Sequence, residues 1–118
     1  MVENEKIDVF VTHFGLAPSE QENIVKVLKD ELLKKEHRCI LMGDFNETPD
    51  SRHIKELGEI LDNVQPSFIT EQFYTFASYK PERKIDYIMV EKGIRIENFG
   101  AIDSLASDHR PYFVDTEL

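Results

Sequence analysis

Apolar and polar residues alternate with two different periods along this chain, and the two periods predict where strands and helices lie. Residues 7–13 alternate at every second position, which is the period of a strand with one buried face. On such a strand Ile7, Val9, Val11 and His13 share one side. We therefore expect the histidine to end the apolar face of the first strand.

Two segments carry the helical period instead. Between residues 17 and 36 the apolar residues recur every three or four positions, and Ser19 with Glu22 forms a capping-box pattern at the start. The expected buried stripe of this helix consists of Ile24, Leu28 and Leu32. A second helix is predicted to begin at Thr48, which would cap it, with Pro49 in the first helical position.

The other apolar segments predict strands, and their order predicts the architecture. These segments are residues 38–43, 84–91, 94–100 and 112–118, of which the first is apolar enough to be buried on both faces. Residues 63–81 have a weak pattern, and we expect a loop there with a short strand near 73–77. The sequence thus predicts a single α/β (α+β) domain with a mixed sheet and helices on one face.

Composition and charge narrow the class of protein. The 118 residues are 41% hydrophobic and 31% charged, which is typical of a globular chain, and the formal net charge is −9. Such a charge opposes loose binding to nucleic acid, but it allows a phosphate-bearing substrate where a divalent cation reverses the local field. The one cysteine, Cys39, lies in an apolar run and is interpreted as a core residue. With no disulfide framework, no secretory signal and no membrane span, we expect a cytoplasmic protein.

The sequence "MGDFN" places an acid and an amide directly after the second strand. If residues 44–46 stay extended, Asp44 and Asn46 point the same way, and a carboxylate beside an amide can bind a hard cation or address a phosphoryl group. Gly43 allows a sharp turn or a close approach of the backbone. By itself, however, this motif is better explained as an Asp/Asn turn between a strand and a helix.

Two further motifs carry groups suited to acid–base chemistry. In "SDHRP", Asp108 and His109 diverge on an extended backbone, so one can face a metal while the other faces a scissile bond. A surface loop before the proline explains the motif equally well. In "KIDYIMV", Asp86 interrupts a buried run and needs a partner, which is either His109 or a neighbouring cation, Lys84 or Arg83. We assign no role to His37 or His53, and we interpret four aromatic residues as packing: Phe73, Tyr74, Phe76 and Tyr79.

Read in order, "VTHF", "MGDFN", "KIDYIMV" and "SDHRP" resemble the C-terminal half of the endonuclease/exonuclease/phosphatase (DNase I-like) superfamily. The order and spacing of all four motifs make the resemblance specific, and it extends along essentially the whole chain. It implies one half of a four-layer α/β sandwich and a phosphoesterase that uses Mg²⁺ or Mn²⁺.

The resemblance also implies a role for each motif residue. Asp108, Asp44 and Asn46 would lie at the metal, and Asp44 would orient or deprotonate the attacking water while Asn46 contacts the phosphate. His109 would stabilise the transition state or act as the acid–base. Asp86 would orient His109, and His13 would contact the phosphate or a neighbouring acid.

The chain departs from the family pattern in length. Residues 1–118 would form only the C-terminal half of the domain, without the N-terminal half and its metal-binding glutamate. The apolar face of the sheet would then be uncovered, and we expect either a homodimer or a separate N-terminal polypeptide to cover it.

Two functions follow as hypotheses. The first is metal-dependent hydrolysis of a phosphodiester or phosphomonoester, whose substrate would be a small molecule, a lipid head group or a nucleic acid. The alternative is a non-catalytic half-domain that serves assembly or binding.

Overall fold

The computed structural model describes residues 5–118, so the first four residues of the charged N-terminal segment lie outside the description. It contains two helices, α1 (Pro18–Lys34) and α2 (Arg52–Ile60). It contains six strands: β1 (Ile7–His13), β2 (Arg38–Asp44), β3 (Asp62–Asn63), β4 (Asp86–Val90), β5 (Arg95–Ala101) and β6 (Tyr112–Glu117). The predicted order of strands and helices is confirmed except that residues 73–77 form no strand and that the two-residue β3 was not predicted.

Four of the strands form a mixed sheet in the order β1-β2-β4-β3. β1 and β2 are parallel, whereas β4 runs antiparallel to both of its neighbours. β5 and β6 pair with each other as a separate antiparallel hairpin. The mixed sheet expected from the sequence is therefore present, with α1 as the crossover between its parallel strands.

Both helices pack on one face of this sheet and form the main core with it. Leu28 and Leu32 of α1 and Leu57 of α2 are buried in one cluster with Leu41 and Tyr87 from the central strands. Cys39 belongs to this cluster and is fully buried, and burial raises the pKa of its thiol to about 12. The cysteine therefore behaves as a core residue.

The opposite face of the sheet is apolar and only partly covered. On the β4 side, Ile88 and Val90 pack against residues of the β5–β6 hairpin, including Phe99. On the β1 side, Val9 is 57% exposed and Val11 is 74% exposed. The expectation of an uncovered apolar face is thus correct for β1 and wrong for β4, because the chain's own hairpin folds over that half.

Both predicted helix starts are wrong by a few residues. α1 begins at Pro18 with Ala17 as its N-cap and no side-chain cap, since proline favours the first helical position. α2 is capped by the hydroxyl of Ser51, which accepts a hydrogen bond from the amide of Ile54. Thr48 lies in a preceding turn, where its hydroxyl donates to the Asp50 carboxylate.

The segment between α2 and β4 has less regular structure than the sequence suggests. In place of a strand near 73–77 it forms a short 3₁₀ helix, Glu71–Phe73, followed by Phe76 in single bridges to Arg83 and His109. Neither helix of residues 5–118 has the length and apolarity that a bilayer crossing requires. The irregular segment between α2 and β4 contacts the polar site at the end of the sheet.

Candidate active site

One rung of the sheet brings three of the motif side chains together. In the strand register, His13 at the end of β1 lies beside Asp44 at the end of β2, and Asp44 lies opposite Asp86 at the start of β4. Residues paired across neighbouring strands point to the same face, so the three side chains form a polar row. The imidazole Nε2 of His13 is 3.5 Å from Oδ2 of Asp44.

His109 completes this row from outside the sheet. It lies in the segment between β5 and β6, and its Nδ1 is 2.7 Å from Oδ2 of Asp86. Its Nε2 is 3.5 Å from Oδ2 of Asp44. The histidine thus uses one ring nitrogen for Asp86 and turns the other toward Asp44, which fixes the orientation of the ring.

The surroundings of the Asp86–His109 pair shift the pKa values of both groups. Burial raises the pKa of Asp86, although hydrogen bonds from His109 and Thr75 oppose that shift. Burial works against a charged His109, but the hydrogen bond to Asp86 and the charges of Asp86 and Asp44 outweigh it, so the His109 pKa is raised. The pair therefore holds a proton on the imidazole to a higher pH than a free histidine would.

Thr75 and Phe76 hold the pair in place, and the sequence analysis missed both. The buried hydroxyl of Thr75 accepts hydrogen bonds from the amides of Asp86, at 3.2 Å, and Ile85, at 3.1 Å. The ring of Phe76, interpreted from sequence as packing, lies 5.0 Å from the His109 ring, centroid to centroid. Their weakly patterned segment gives no periodic signal from which either role could be predicted.

Lys84 supports the same strand from beneath. It is 1% exposed, and its Nζ donates to the backbone oxygen of Asp86 at 2.8 Å. The ammonium lies 3.6 Å from the Tyr87 ring centroid and 4.3 Å from that of Tyr112, and burial lowers its pKa to about 7. Of the partners considered for the Asp86 carboxylate, the structure selects His109, while Lys84 contacts the Asp86 backbone.

The turn after β2 differs from the extended segment that the sequence analysis assumed. Asn46 has a left-handed backbone with φ of 50°, its amide donates to Oδ1 of Asp44 at 2.9 Å, and its side chain donates to the Phe14 carbonyl at 2.5 Å. The premise that Asp44 and Asn46 point the same way on an extended strand is therefore wrong. The Asp44 side chain forms the Asx-type turn that the alternative interpretation expected, and the Asn46 side chain ties the turn to the end of β1.

Gly43 is required by the close packing of β1 against β2. Its φ of 149° lies in the region that favours glycine, and a Cβ there would lie 1.8 Å from the Thr12 backbone oxygen. The glycine thus allows β1 and β2 to pair up to their last residues, so that His13 lies beside Asp44.

His53 fixes the far side of this turn, although no role was assigned to it from its sequence context. It is 7% exposed, with Nδ1 2.9 Å from Glu47 and Nε2 2.9 Å from Glu22. Burial opposes its charged form, but the hydrogen bonds to the two glutamates outweigh burial and raise its pKa. The imidazole therefore links α1, α2 and the residue that follows Asn46.

Asp108 lies at the rim of the site. The residue is exposed, its carboxylate accepts a hydrogen bond from the Ser107 hydroxyl, and its backbone oxygen accepts one from the Ser78 amide. A cavity of about 380 Å³ opens in front of the row and is lined by Asp44, Asp86 and His109 together with apolar residues such as Met42. The row thus faces a space large enough for a phosphate group and its substituent.

The donor set at the row fits a divalent cation. Ligand atoms of Asp44, Asp86 and His109 all lie within 4.8 Å of one another, and no other such group of three occurs in residues 5–118. The carboxylate oxygens of the row suit Mg²⁺ and Mn²⁺, while Nδ1 of His109 is already bonded to Asp86. The site is therefore chemically compatible with the metal that the resemblance implies.

The family comparison agrees with the motifs. The model of the Endonuclease/Exonuclease/phosphatase family matches residues 6–109, which include every residue of the polar row. No curated protein matches the chain in sequence.

Solved structures show the same fold over most of this chain. A functionally unknown conserved protein from Enterococcus faecalis superposes with a TM-score of 0.77 at 20% identity over 92% of this chain and 49% of its own. A mannosyl-6-phosphatase from Bacteroides thetaiotaomicron gives 0.73 at 18% identity, covering 93% and 51%. A family protein from Leptotrichia buccalis gives 0.72 at 22% identity, covering 99% and 50%. The chain thus spans about half the length of the structures it matches.

The geometry predicts that Asp86 and Asp44 both raise the pKa of His109. In metal-free buffer, the Asp86→Asn variant should titrate His109 at lower pH than the wild-type chain, because the amide removes the charge and the main acceptor of Nδ1. Asp44→Asn should lower it less, because Asp44 is farther away. The measurement is an NMR titration of the imidazole Cε1 proton.

Asp115→Asn on β6 is the matched control, because Asp115 is exposed and has no part in the row. Its His109 titration should coincide with that of the wild-type chain. An unchanged His109 pKa in Asp86→Asn would mean that the pair does not form in solution.

Proposed function

The chain belongs to the endonuclease/exonuclease/phosphatase family, and we propose that it provides the phosphate-binding half of a metal-dependent phosphoesterase. Family membership suggests a hydrolase of the phosphoesterase or nuclease type. The observation that carries the proposal is the hydrogen-bonded Asp86–His109 pair, whose free nitrogen faces Asp44 at the mouth of a cavity. A histidine oriented by a carboxylate and turned toward a second acid is suited to proton transfer at a reacting oxygen.

In this proposal each residue of the row has a different role in hydrolysis. His109, kept protonated by Asp86, stabilises charge on the phosphoryl group or donates a proton to the leaving oxygen. Asp44 orients the attacking water and accepts its proton. His13 extends the row and contacts the phosphate, and Asn46 holds the turn that aims Asp44 while its remaining amide donor addresses the phosphate.

Asp44 in the row and Asp108 at its rim would hold Mg²⁺ or Mn²⁺, whereas Asn46, whose side-chain amide donates to the Phe14 carbonyl, would support the turn beside the cation. The cation would supply Lewis-acid stabilisation of the phosphoryl oxygens and lower the pKa of a bound water. The Asp44 and Asp108 carboxylates would repel a phosphate in a chain of net charge −9 unless a cation neutralised them, which supports metal dependence.

The net charge and the cavity favour a compact substrate. A chain with a charge of −9 does not attract a long polyanion, whereas a small phosphate ester or a single head group fits a cavity of about 380 Å³. We therefore propose small phosphate esters and lipid head groups as substrates in preference to duplex nucleic acid.

We also propose that residues 1–118 correspond to the C-terminal half of the family's domain. The matched structures are about twice as long, and the β1 side of the sheet leaves Val9 and Val11 exposed. A second copy of this chain, or a separate polypeptide equivalent to the N-terminal half, would cover that face. The same exposed face supports the alternative function, a non-catalytic half-domain used for assembly.

The catalytic proposal predicts metal-dependent turnover that requires His109. Hydrolysis of a chromogenic phosphomonoester and phosphodiester should need Mg²⁺ or Mn²⁺ and should fall by about 10²–10⁴-fold in His109→Ala, the usual contribution of a general acid or base. His37→Ala provides a control, since this histidine lies beside Asp8 at the opposite ends of β1 and β2. Absence of turnover in the wild-type chain with either metal would contradict catalysis by this chain alone and favour the assembly function.

The covered-face proposal predicts self-association when no partner polypeptide is present. Sedimentation should give a mass of about twice the 13.8 kDa of the chain, and Val11→Asp should return it to the monomer because a buried carboxylate opposes an apolar interface. Val27→Asp on the exposed side of α1 should leave the mass unchanged. A well-behaved wild-type monomer would contradict coverage by a second copy.

A further inference from the structure

We propose that Arg83, assisted by Lys80, forms a second anion-binding site beside the reaction centre and that the substrate is a small phosphate ester with a second anionic group. This inference rests on the proposed function, in which one phosphate group of the substrate binds at His109. It adds that the substrate carries a second anionic group. It concerns a hairpin turn, residues 76–83, to which none of the four motifs gives a role.

The turn is a closed hairpin that is attached directly to the segment carrying His109. Phe76 and Arg83 exchange backbone hydrogen bonds of 3.1 Å in both directions, which closes the turn. The Ser78 amide donates to the Asp108 backbone oxygen at 2.8 Å, and the Arg110 amide donates to the Thr75 backbone oxygen at 2.7 Å. The turn therefore holds a fixed position relative to the imidazole, as a specificity element must.

The Phe76 ring contacts both the reaction centre and the turn. The His109 ring lies 5.0 Å from the Phe76 ring, and the guanidinium carbon of Arg83 lies 5.2 Å from the centre of the same Phe76 ring. Arg83 is thus separated from the catalytic imidazole by one aromatic ring. A sugar or polyol with one phosphate at His109 can bring a second phosphate to Arg83.

The charge of the turn contrasts with that of the chain as a whole. Residues 76–83 contain two cations, Lys80 and Arg83, and one acid, Glu82, in a protein whose net charge is −9. Arg83 is exposed and has no salt-bridge partner in the described part of the chain, while exposed Lys80 makes only a 3.5 Å contact with Glu82. These cations remain available for a ligand.

The side chains of the turn also surround a cavity that an anionic group can enter. A cavity of about 260 Å³ is lined by Phe76, Ala77, Tyr79, Lys80, Glu82 and Arg83. The Arg83 guanidinium lies 5.2 Å from the Phe76 ring centre and the residue is exposed, and a guanidinium can bind phosphate in a bidentate manner. A structural role for Arg83, as a cover for Phe76, requires the contact with the ring and not the charge.

A matched pair of ligands separates these two roles. Affinities for fructose 6-phosphate and fructose 1,6-bisphosphate are measured by NMR titration of the full chain in Mg²⁺, and hydrolysis of both is followed in the same samples. The wild-type chain should bind the bisphosphate at least about tenfold more tightly, which is the size expected for one charge-assisted contact. Arg83→Met should remove that preference without weakening the monophosphate, Arg83→Lys should keep part of it, and Lys80→Met should reduce it.

Arg95→Met is the control, because this exposed arginine on β5 is paired with Glu117 and lies outside both cavities. It should leave both affinities unchanged. The inference is overturned if the wild-type chain shows no preference, if neither ligand binds, or if Arg83→Met weakens both ligands equally. Turnover without a preference would leave the phosphoesterase proposal intact, whereas a preference without turnover would support the second site and count against catalysis.

Discussion

The pairing of β1, β2 and β4 is the constraint on which the site depends. Because β1 runs parallel to β2 while β4 runs antiparallel, the ends of two strands and the start of a third meet at one edge. His13, Asp44 and Asp86 occupy one rung at that edge, and the next residues of the same face, Val11, Met42 and Ile88, are apolar. A register slip of one residue would turn all three polar groups toward the helices, so the buried helix-side core also specifies the site.

The polar groups at this edge are costly to bury, and the structure compensates for each with a specific partner. The Asp86 carboxylate is bonded to His109, and its backbone amide donates to the Thr75 hydroxyl. The Asp44 carboxylate accepts from the Asn46 amide. The Lys84 ammonium donates to a backbone oxygen and lies near two tyrosine rings. A partly satisfied network of this kind would destabilise a core. Its position at the sheet edge leaves Nε2 of His109 and Oδ2 of Asp44 directed toward the cavity, where a substrate and a cation can complete it.

Sequence reasoning predicted the parts of this structure that depend on periodic patterns. The strands around His13, Asp44 and Asp86 alternate or are continuously apolar, and the order of motifs identified the family. Contacts that depend on irregular backbone were not predictable in this way. The left-handed Asn46, the Thr75 hydroxyl beneath Asp86 and the bridge of His53 between Glu22 and Glu47 arise from three-dimensional placement of loops. The hairpin that covers half of the sheet was predicted as strands, but its packing on β4 was not, because strand patterns do not specify which sheet face they cover.

The central claim is that the polar row and the adjoining loop bind a catalytic cation, and paramagnetic NMR tests it directly. Trace Mn²⁺ added to the ¹⁵N-labelled chain should broaden the amide signals around residues 13, 44, 86 and 108–109 first, and excess Mg²⁺ should restore them. Asp44→Asn should weaken this effect, whereas Asp115→Asn should not. Broadening that centres on other acidic surfaces, or that is identical in Asp44→Asn, would contradict a metal-dependent site at this edge of the sheet.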